Sequence, residues 1–552
     1  MGEVVHALSS PSMSQQRTAA VELVTILYDE GVSHLFLNPG MFVAPLREAL
    51  AETRAAGMAP PQPVLCGHEH LALSAAHGHH LVGGGPQVVM VHVAGGRLQL
   101  AGALENAQRD RIPVAVLAGE AIPTKASEPS LPSSAEPVGK WREEVRGPGQ
   151  LGPLLRRGLQ IARTEPTGPT QLVLPPALLE APVPYPSRRL PPPRPPVPDL
   201  GALEEMAELL AAARSPLIVA GRVGRNLSAV PSLARLAETL GAPVIDFRNC
   251  VNLPPQHALN AGLEGRDLLL RADAILLLDV EAACVPGLGP FPTQAWLLQI
   301  DSDCLKPDLP GWCYPVEIGV TADTAQALPH LVEMLSDRLG SRRQEVEERR
   351  QRVMEFLAAS RQAWHGRATS GAPDDFPDAL LAELNRALPE DALVLEEATA
   401  NADAAIRQLE RPPGRLFRRA TPSPGWSIGA ALGARLADPT RPVVALCDDP
   451  AFDFGLPTAA FRSAHRSGAA FLTIVLSRGG HRSPGPLPGG GLQDVSDPVV
   501  EAEADPLAVA RASGAEGMAI ESPAQVAAAV ERLLASTRDG VCAVLQARLP
   551  RP

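Results

Sequence analysis

Three doubly wound α/β domains, each a parallel sheet flanked by helices, are predicted from three observations. The chain has 552 residues, room for about three or four domains that each bury their own core. Short apolar runs alternate with helical periodicity three times along the sequence, the pattern of successive strand–helix–strand units. One stretch, 182–198, places nine prolines in seventeen residues. It can form neither a helix nor a central strand and reads as an extended linker.

The elements follow in order. Residues 1–17 form a polar tail without the charged and apolar regions of a signal peptide. The first domain, 18–182, offers strands at 34–38, 63–66, 87–93, 113–119 and 170–175, and 120–139 reads as a long irregular loop. After the linker (183–198), the middle, Rossmann-like domain (199–335) offers strands at 216–221, 243–247, 274–280 and 296–301. Its turn GRVGR (221–225) lacks the full dinucleotide fingerprint, so no nucleotide is assigned to it, FAD included. A connecting helix (336–373) carries the charge run 342–359, read as a solvated face. The third domain, 374–552, offers strands at 393–396, 443–447, 471–477, 515–520 and 542–547. The first and third domains are the closest pair in layout.

A net charge of −12 without a useful Lys/Arg run argues against nucleic acid or an anionic membrane surface as partner. No segment approaches the length of a membrane span, so a soluble, cytoplasmic protein is expected. Seven cysteines are scattered without CxxC spacing and read as reduced, buried thiols. Histidines 68, 70, 77, 79 and 80 cluster, and His77 and His80 have i, i+3 spacing, but no acid or cysteine completes a metal-ligand set.

Glu69 stands where an apolar strand opens into a helix. A carboxylate there reaches a ligand lying beyond the carboxyl end of a parallel sheet; alternatively it is a helix-start acid favoured by the macrodipole. His92 ends another apolar strand. With His68 and Glu69 it would make an acid/base set that needs no cofactor.

The stretches LFLNPG (35–40), HE (68–69), PQVVMVHV (86–93) and GALENAQRDRIPV (102–114) resemble the pyrimidine-binding domain of thiamine-diphosphate-dependent enzymes. HALNAGL (257–263) and ADAILLLDVEA (272–282) resemble the middle domain of that family. GWSIGAALGARLADPTRPVVALC (425–447) and FGLPTAAFRSAHRSGAAFLTIVL (454–476) resemble its diphosphate-binding domain. The likeness covers nearly the whole chain and is strongest to the acetolactate-synthase-like branch. It implies thiamine diphosphate and Mg²⁺ as cofactors and decarboxylation or carboligation of 2-oxo acids, small anionic substrates. It further implies a homodimer or homotetramer whose site lies between the first domain of one subunit and the third of another. Glu69 matches the glutamate that hydrogen-bonds the aminopyrimidine and promotes ylid formation. Ser423, Pro424, Asp449, Ala451, Ser477 and Arg478 fall on the cofactor-facing positions, with Asp449 matching the metal-binding aspartate.

The third domain departs from the family's pattern. Its Gly-Asp-Gly turn reads Asp448-Asp449-Pro450 here, and its Asn-Asn reads Ser477-Arg478. Pro450 has no N–H to offer a phosphate, Asp448 adds a like charge, and an arginine cannot ligate a metal. Pro424 replaces the large apolar residue that buttresses the bent cofactor, and AGGRLQ (94–99) puts Arg97 near the crevice. Three readings stay open. The site is altered and the protein works non-canonically or without the cofactor. Alternatively Arg478, with Arg482 or Arg418/Arg419, binds a diphosphate in place of the metal. Or the chain is a non-catalytic partner subunit.

Overall fold

The computed structural model describes residues 17–550 except 41, 93, 120–138, 247–249, 263–264, 282–290, 293, 308–313, 419–422, 482–499 and 502–504, and only the backbone at 94–98, 176, 266, 480–481 and 500–501. The tail up to residue 16, most of the predicted loop 120–139, and the residues Arg419 and Arg482 therefore lie outside the described residues, as does the side chain of Arg97.

Three parallel sheets account for the fold. The first comprises β1 (His34–Leu37), β2 (Gln62–Leu65), β3 (Gln87–His92), β4 (Val114–Gly119), β5 (Trp141–Glu144) and β6 (Thr170–Leu174), in the order β2-β1-β3-β4-β6-β5. The second comprises β7 (Pro216–Ala220), β8 (Val244–Asp246), β9 (Ala274–Leu278), β10 (Trp296–Asp301) and β11 (Ile318–Thr321), in the order β11-β10-β9-β7-β8. The third comprises β12 (Leu393–Glu397), β13 (Leu416–Arg418), β14 (Val443–Asp448) and β15 (Leu472–Ser477) with two later strands. A short antiparallel pair, β16 (Gly480–His481) and β17 (Val500–Glu501), precedes those two, β18 (Glu516–Ile520) and β19 (Ala543–Arg548). Its order is β13-β12-β14-β15-β19-β18. Numbered within each sheet, the first and third share one winding order, as their sequence layouts predict.

Helices cover both faces, so interior strands are apolar along their whole length rather than alternately. All six residues of β4 and of β14 are buried. Apart from the short pair β16 and β17, three strands lie outside the predicted ranges, namely β5, β11 and β13. Each is a three- or four-residue sheet edge with incomplete burial, Trp-Arg-Glu-Glu in the case of β5. An open flank removes the need for an apolar run, and with it the signal. The helix Thr324–Leu339 passes the expected middle-domain limit at 335 before the connecting helix, Arg343–Thr369.

One core is common to the first and third sheets. The helix Glu69–Gly83 lies against the helix Trp426–Ala437, and their facing residues are small. A Cβ on Gly78 would stand 2.0 Å from the Ala430 carbonyl oxygen, and one on Gly433 would stand 1.7 Å from that of Ala75. These two glycines let the backbones meet, and the residues around them form a continuous apolar cluster from Phe36 to Val544.

The middle sheet is tied to the first across its carboxyl edge. Arg222 donates to the Asp110 carbonyl at 2.6 Å, Arg225 to Glu165 at 3.1 Å, and Arg111 pairs with Glu281. The glycine turn 221–225 thus presents its arginines to the neighbouring domain.

Candidate functional site

In a doubly wound sheet a ligand crevice opens at the carboxyl edge, where neighbouring strands send their chains to opposite faces. That point lies between β1 and β3 in the first sheet and between β12 and β14 in the third.

In the first sheet His92 fills it. A Cβ on Gly40, in the turn after β1, would lie 2.5 Å from His92 Cγ. Phe42 meets the ring edge-on, with centroids 6.0 Å apart, and Nδ1 is buried without a partner among the described residues. Glu69 follows β2, one strand further out, in the first turn of its helix and 9% exposed. His68 is the N-cap of that helix, and its Nδ1 accepts the His70 N–H at 3.1 Å. An accepting Nδ1 carries no proton, so the 3.8 Å approach of the same nitrogen to Glu69 Oε2 is not an ion pair in this state. The structure thus brings His68 and Glu69 together and gives His92 other neighbours.

The first domain reaches the third through the loop Ser423–Gly425. His70 Nε2 lies 3.3 Å from the Gly425 carbonyl oxygen, and Asn106 Nδ2 donates to the Ser423 carbonyl at 3.2 Å. Burial lowers the pKa of His70, so it is neutral near pH 7. Gly425 has φ +93, and a Cβ there would stand 2.5 Å from the Phe454 backbone, so only glycine fits. Glu397, at the end of β12, accepts the Gly425 and Ser427 N–H groups at 2.8 and 2.7 Å and so fixes the loop and the start of its helix. Glu397 and Asn106 belong to no motif of their own in the sequence. The available signal was the pair of acids that closes an otherwise apolar run at 393–397.

In the third sheet Asp448 spans the switch point. One carboxylate oxygen accepts the Ala451 N–H at 3.1 Å and the other the Ala400 N–H at 3.3 Å. Ala451 is thereby engaged within the chain. Asp449 Oδ2 accepts the N–H groups of Arg478 and Gly479 at 2.9 and 3.2 Å, while its Oδ1 is buried without a partner among the described residues. Ser477 Oγ accepts from Gln546 at 3.3 Å. The Arg478 guanidinium is exposed and donates to Asn401 Oδ1 at 3.2 Å. Ser423 and Pro424 are half-buried, and Arg418 pairs with Glu396 at 3.6 Å.

Among the described residues, this edge offers few donors to a magnesium ion shared with a diphosphate. One free carboxylate oxygen remains on Asp449, but the next expected donor is a guanidinium, which has no lone pair. Two of the backbone donors at this edge are already given to Asp448, and Pro450 has none.

Three family models, described as the N-terminal TPP binding, central and C-terminal TPP binding domains of thiamine pyrophosphate enzymes, match residues 17–134, 203–331 and 400–545. The chain belongs to the thiamine pyrophosphate enzyme family. It is 29% identical over 463 residues to the Pseudomonas aeruginosa protein named "Probable 2-ketoarginine decarboxylase AruI", covering 79% of this chain and 78% of that protein. It is 26% identical over 482 residues to benzoylformate decarboxylase of the same organism, covering 82% and 84%. The solved benzoylformate decarboxylase of Polynucleobacter necessarius superposes with a TM-score of 0.77 at 19% identity, over 97% of this chain and 99% of that one. This chain thus has the fold of thiamine pyrophosphate enzymes over nearly its whole length.

The helix that carries Glu69 also sets an acid limit on the fold. Burial, with the charges of His80 and Arg222, pushes His77 down to about 3; burial, with His34 and His80, pushes His79 down to about 4. Asp110 is 3.3 Å from His77 but does not outweigh that burial. Both rings are therefore held neutral, so their contribution is complete above the ordinary histidine pKa of about 6.5 and is lost as pH falls towards 4. Urea midpoints should drop steadily from pH 7 to pH 4.5, with a shallower slope in His77→Gln. A midpoint flat over that range would contradict the assignment.

Proposed function

We propose that the chain is an acetolactate-synthase-like protein of decarboxylase and carboligase lineage that no longer binds thiamine diphosphate through Mg²⁺ in the ordinary way. Its crevice would take a small anionic ligand, a 2-oxo acid or a related intermediate. The observation that carries this reading is the Asp448 carboxylate lodged between the Ala400 and Ala451 N–H groups, where it repels a second anion. In cofactor-independent chemistry Glu69 would be the base, held in a largely buried position next to His68, and His92 would serve as a further acid or base.

Calorimetric titration of the full chain with thiamine diphosphate and Mg²⁺ tests the proposal. The expected result is no magnesium-dependent binding at cofactor concentrations up to about 1 mM, a Kd scale that corresponds to roughly −4 kcal/mol. Tight binding abolished by chelator would overturn it. The second reading, a diphosphate held by Arg478, is favoured by that guanidinium's exposure and its reach from the end of β15 to Asn401 beyond β12. It requires binding that is indifferent to chelator and roughly 10- to 100-fold weaker in Arg478→Ala, as for the loss of a charge-assisted contact.

A further inference from the structure

At the amino edge of the middle sheet, away from the carboxyl-edge crevices, a cavity of about 240 Å³ opens beneath the connecting helix. Its apolar wall is formed by Pro216, Leu217, Pro243, Leu268, Val353 and Phe356. Four arginines, 214, 271, 349 and 352, complete it together with Asp267.

The arginines are not equivalent. The Arg349 guanidinium is committed to main chain, donating to the Leu240 and Ala213 carbonyls. These end the helices Leu200–Ala212 and Val230–Leu240, where a cation complements the dipole. Among the described residues, Arg214, Arg271 and Arg352 have no carboxylate within ion-pair distance, although this chain pairs many of its other arginines. The neighbouring acid Asp273 spends both oxygens on the Arg214 and Ser215 N–H groups. Three uncommitted cations thus ring an apolar hollow that holds one acid, Asp267.

We infer that this cavity is a binding site for a small anionic ligand with an apolar body, about one ring in size, its carboxylate or phosphate head held by Arg214, Arg271 and Arg352. The volume lies just below the roughly 300–1,000 Å³ typical of sites for larger ligands. Guanidinium groups bind a pair of oxygens on either head group bidentately. The apolar wall excludes a bare inorganic ion as the preferred occupant, because such an ion would leave that wall uncovered. The inference is independent of whether the carboxyl-edge crevice binds a cofactor.

Benzoate, phenyl phosphate and inorganic phosphate serve as probes on the full chain, read by calorimetry and by the shift in thermal midpoint. We expect saturable binding of benzoate, phenyl phosphate or both, and at least about tenfold weaker binding of inorganic phosphate. The better of the two aromatic probes identifies the head group. In Arg214→Ala/Arg352→Ala, changes at two exposed positions, affinity should fall on the order of tenfold or more. In Arg478→Ala it should be unchanged. No saturable binding of either aromatic probe, or binding unaltered in the double variant, would refute the site. So would binding lost in Arg478→Ala but kept in the double variant, because it would place the anion in the crevice instead.

Discussion

Gly433→Ala is expected to destabilise the chain by several kcal/mol, an effect at the upper end for a single methyl group. The added carbon would stand 1.7 Å from the Ala75 carbonyl oxygen and 2.7 Å from the His79 nitrogen, both backbone atoms of the facing helix. Side chains can rotate away from an intruder, but a helix backbone in a packed core can only move as a body. Overpacking of this kind costs about 1–3 kcal/mol where side chains can yield, and more where they cannot. Separation of the two helices would also uncover the cluster they share. Chemical denaturation measures the effect, with Gly340→Ala as control. Gly340 is right-handed and has nothing within 4 Å of the added carbon, so that change should be neutral or slightly stabilising. Equal midpoints for the two variants would mean that the helices are not in the close contact described.

Restoring the family's own residues should create the binding that the native chain is proposed to lack. In Asp448→Gly/Pro450→Gly/Arg478→Asn the carboxylate between Ala400 and Ala451 is removed, a backbone donor returns at 450, and a neutral oxygen ligand replaces a guanidinium. Asp449 keeps its buried, unpartnered Oδ1 available to a cation. Thiamine diphosphate should then bind in a magnesium-dependent manner at least about 100-fold more tightly than to the native chain, a change of roughly 2.7 kcal/mol. Loss of the Asp448 cap on a short helix would lower stability by about 1 kcal/mol. The circular dichroism melt is therefore recorded alongside the titration. A folded triple variant with no gain in affinity would show that these three positions are not what separates this crevice from those of its relatives.

Much of the fold was legible because buried parallel strands must be apolar throughout, and β4, β9, β14 and β15 announce themselves as such runs. The edge strands β5, β11 and β13 carry no such demand and passed unseen. At the site, Asp448, Pro450 and Arg478 stand out because they depart from a pattern, Asp449 because it matches one, and Glu69 because it begins a helix after a strand. What one residue does for another across hundreds of positions leaves no local trace. Glu397 holding Gly425, and Asn106 holding Ser423, depend on the third domain's loop arriving beside the first domain. The direction of a carboxylate is equally silent. The sequence shows that Asp448 brings a charge, but not that its oxygens take the Ala400 and Ala451 N–H groups.

The shared core between the helices Glu69–Gly83 and Trp426–Ala437 also has a consequence in time. Ala75, Gly78 and the apolar residues around them are synthesised some 350 residues before the surface that covers them. At roughly 5–20 residues per second, the interval is on the order of 20–70 s. Through that interval the first sheet can form its strands and bury its outer cluster, but the face of the Glu69 helix has no native cover. The nascent chain therefore carries an exposed apolar stripe, next to its own candidate site, until the last third of the protein has left the ribosome.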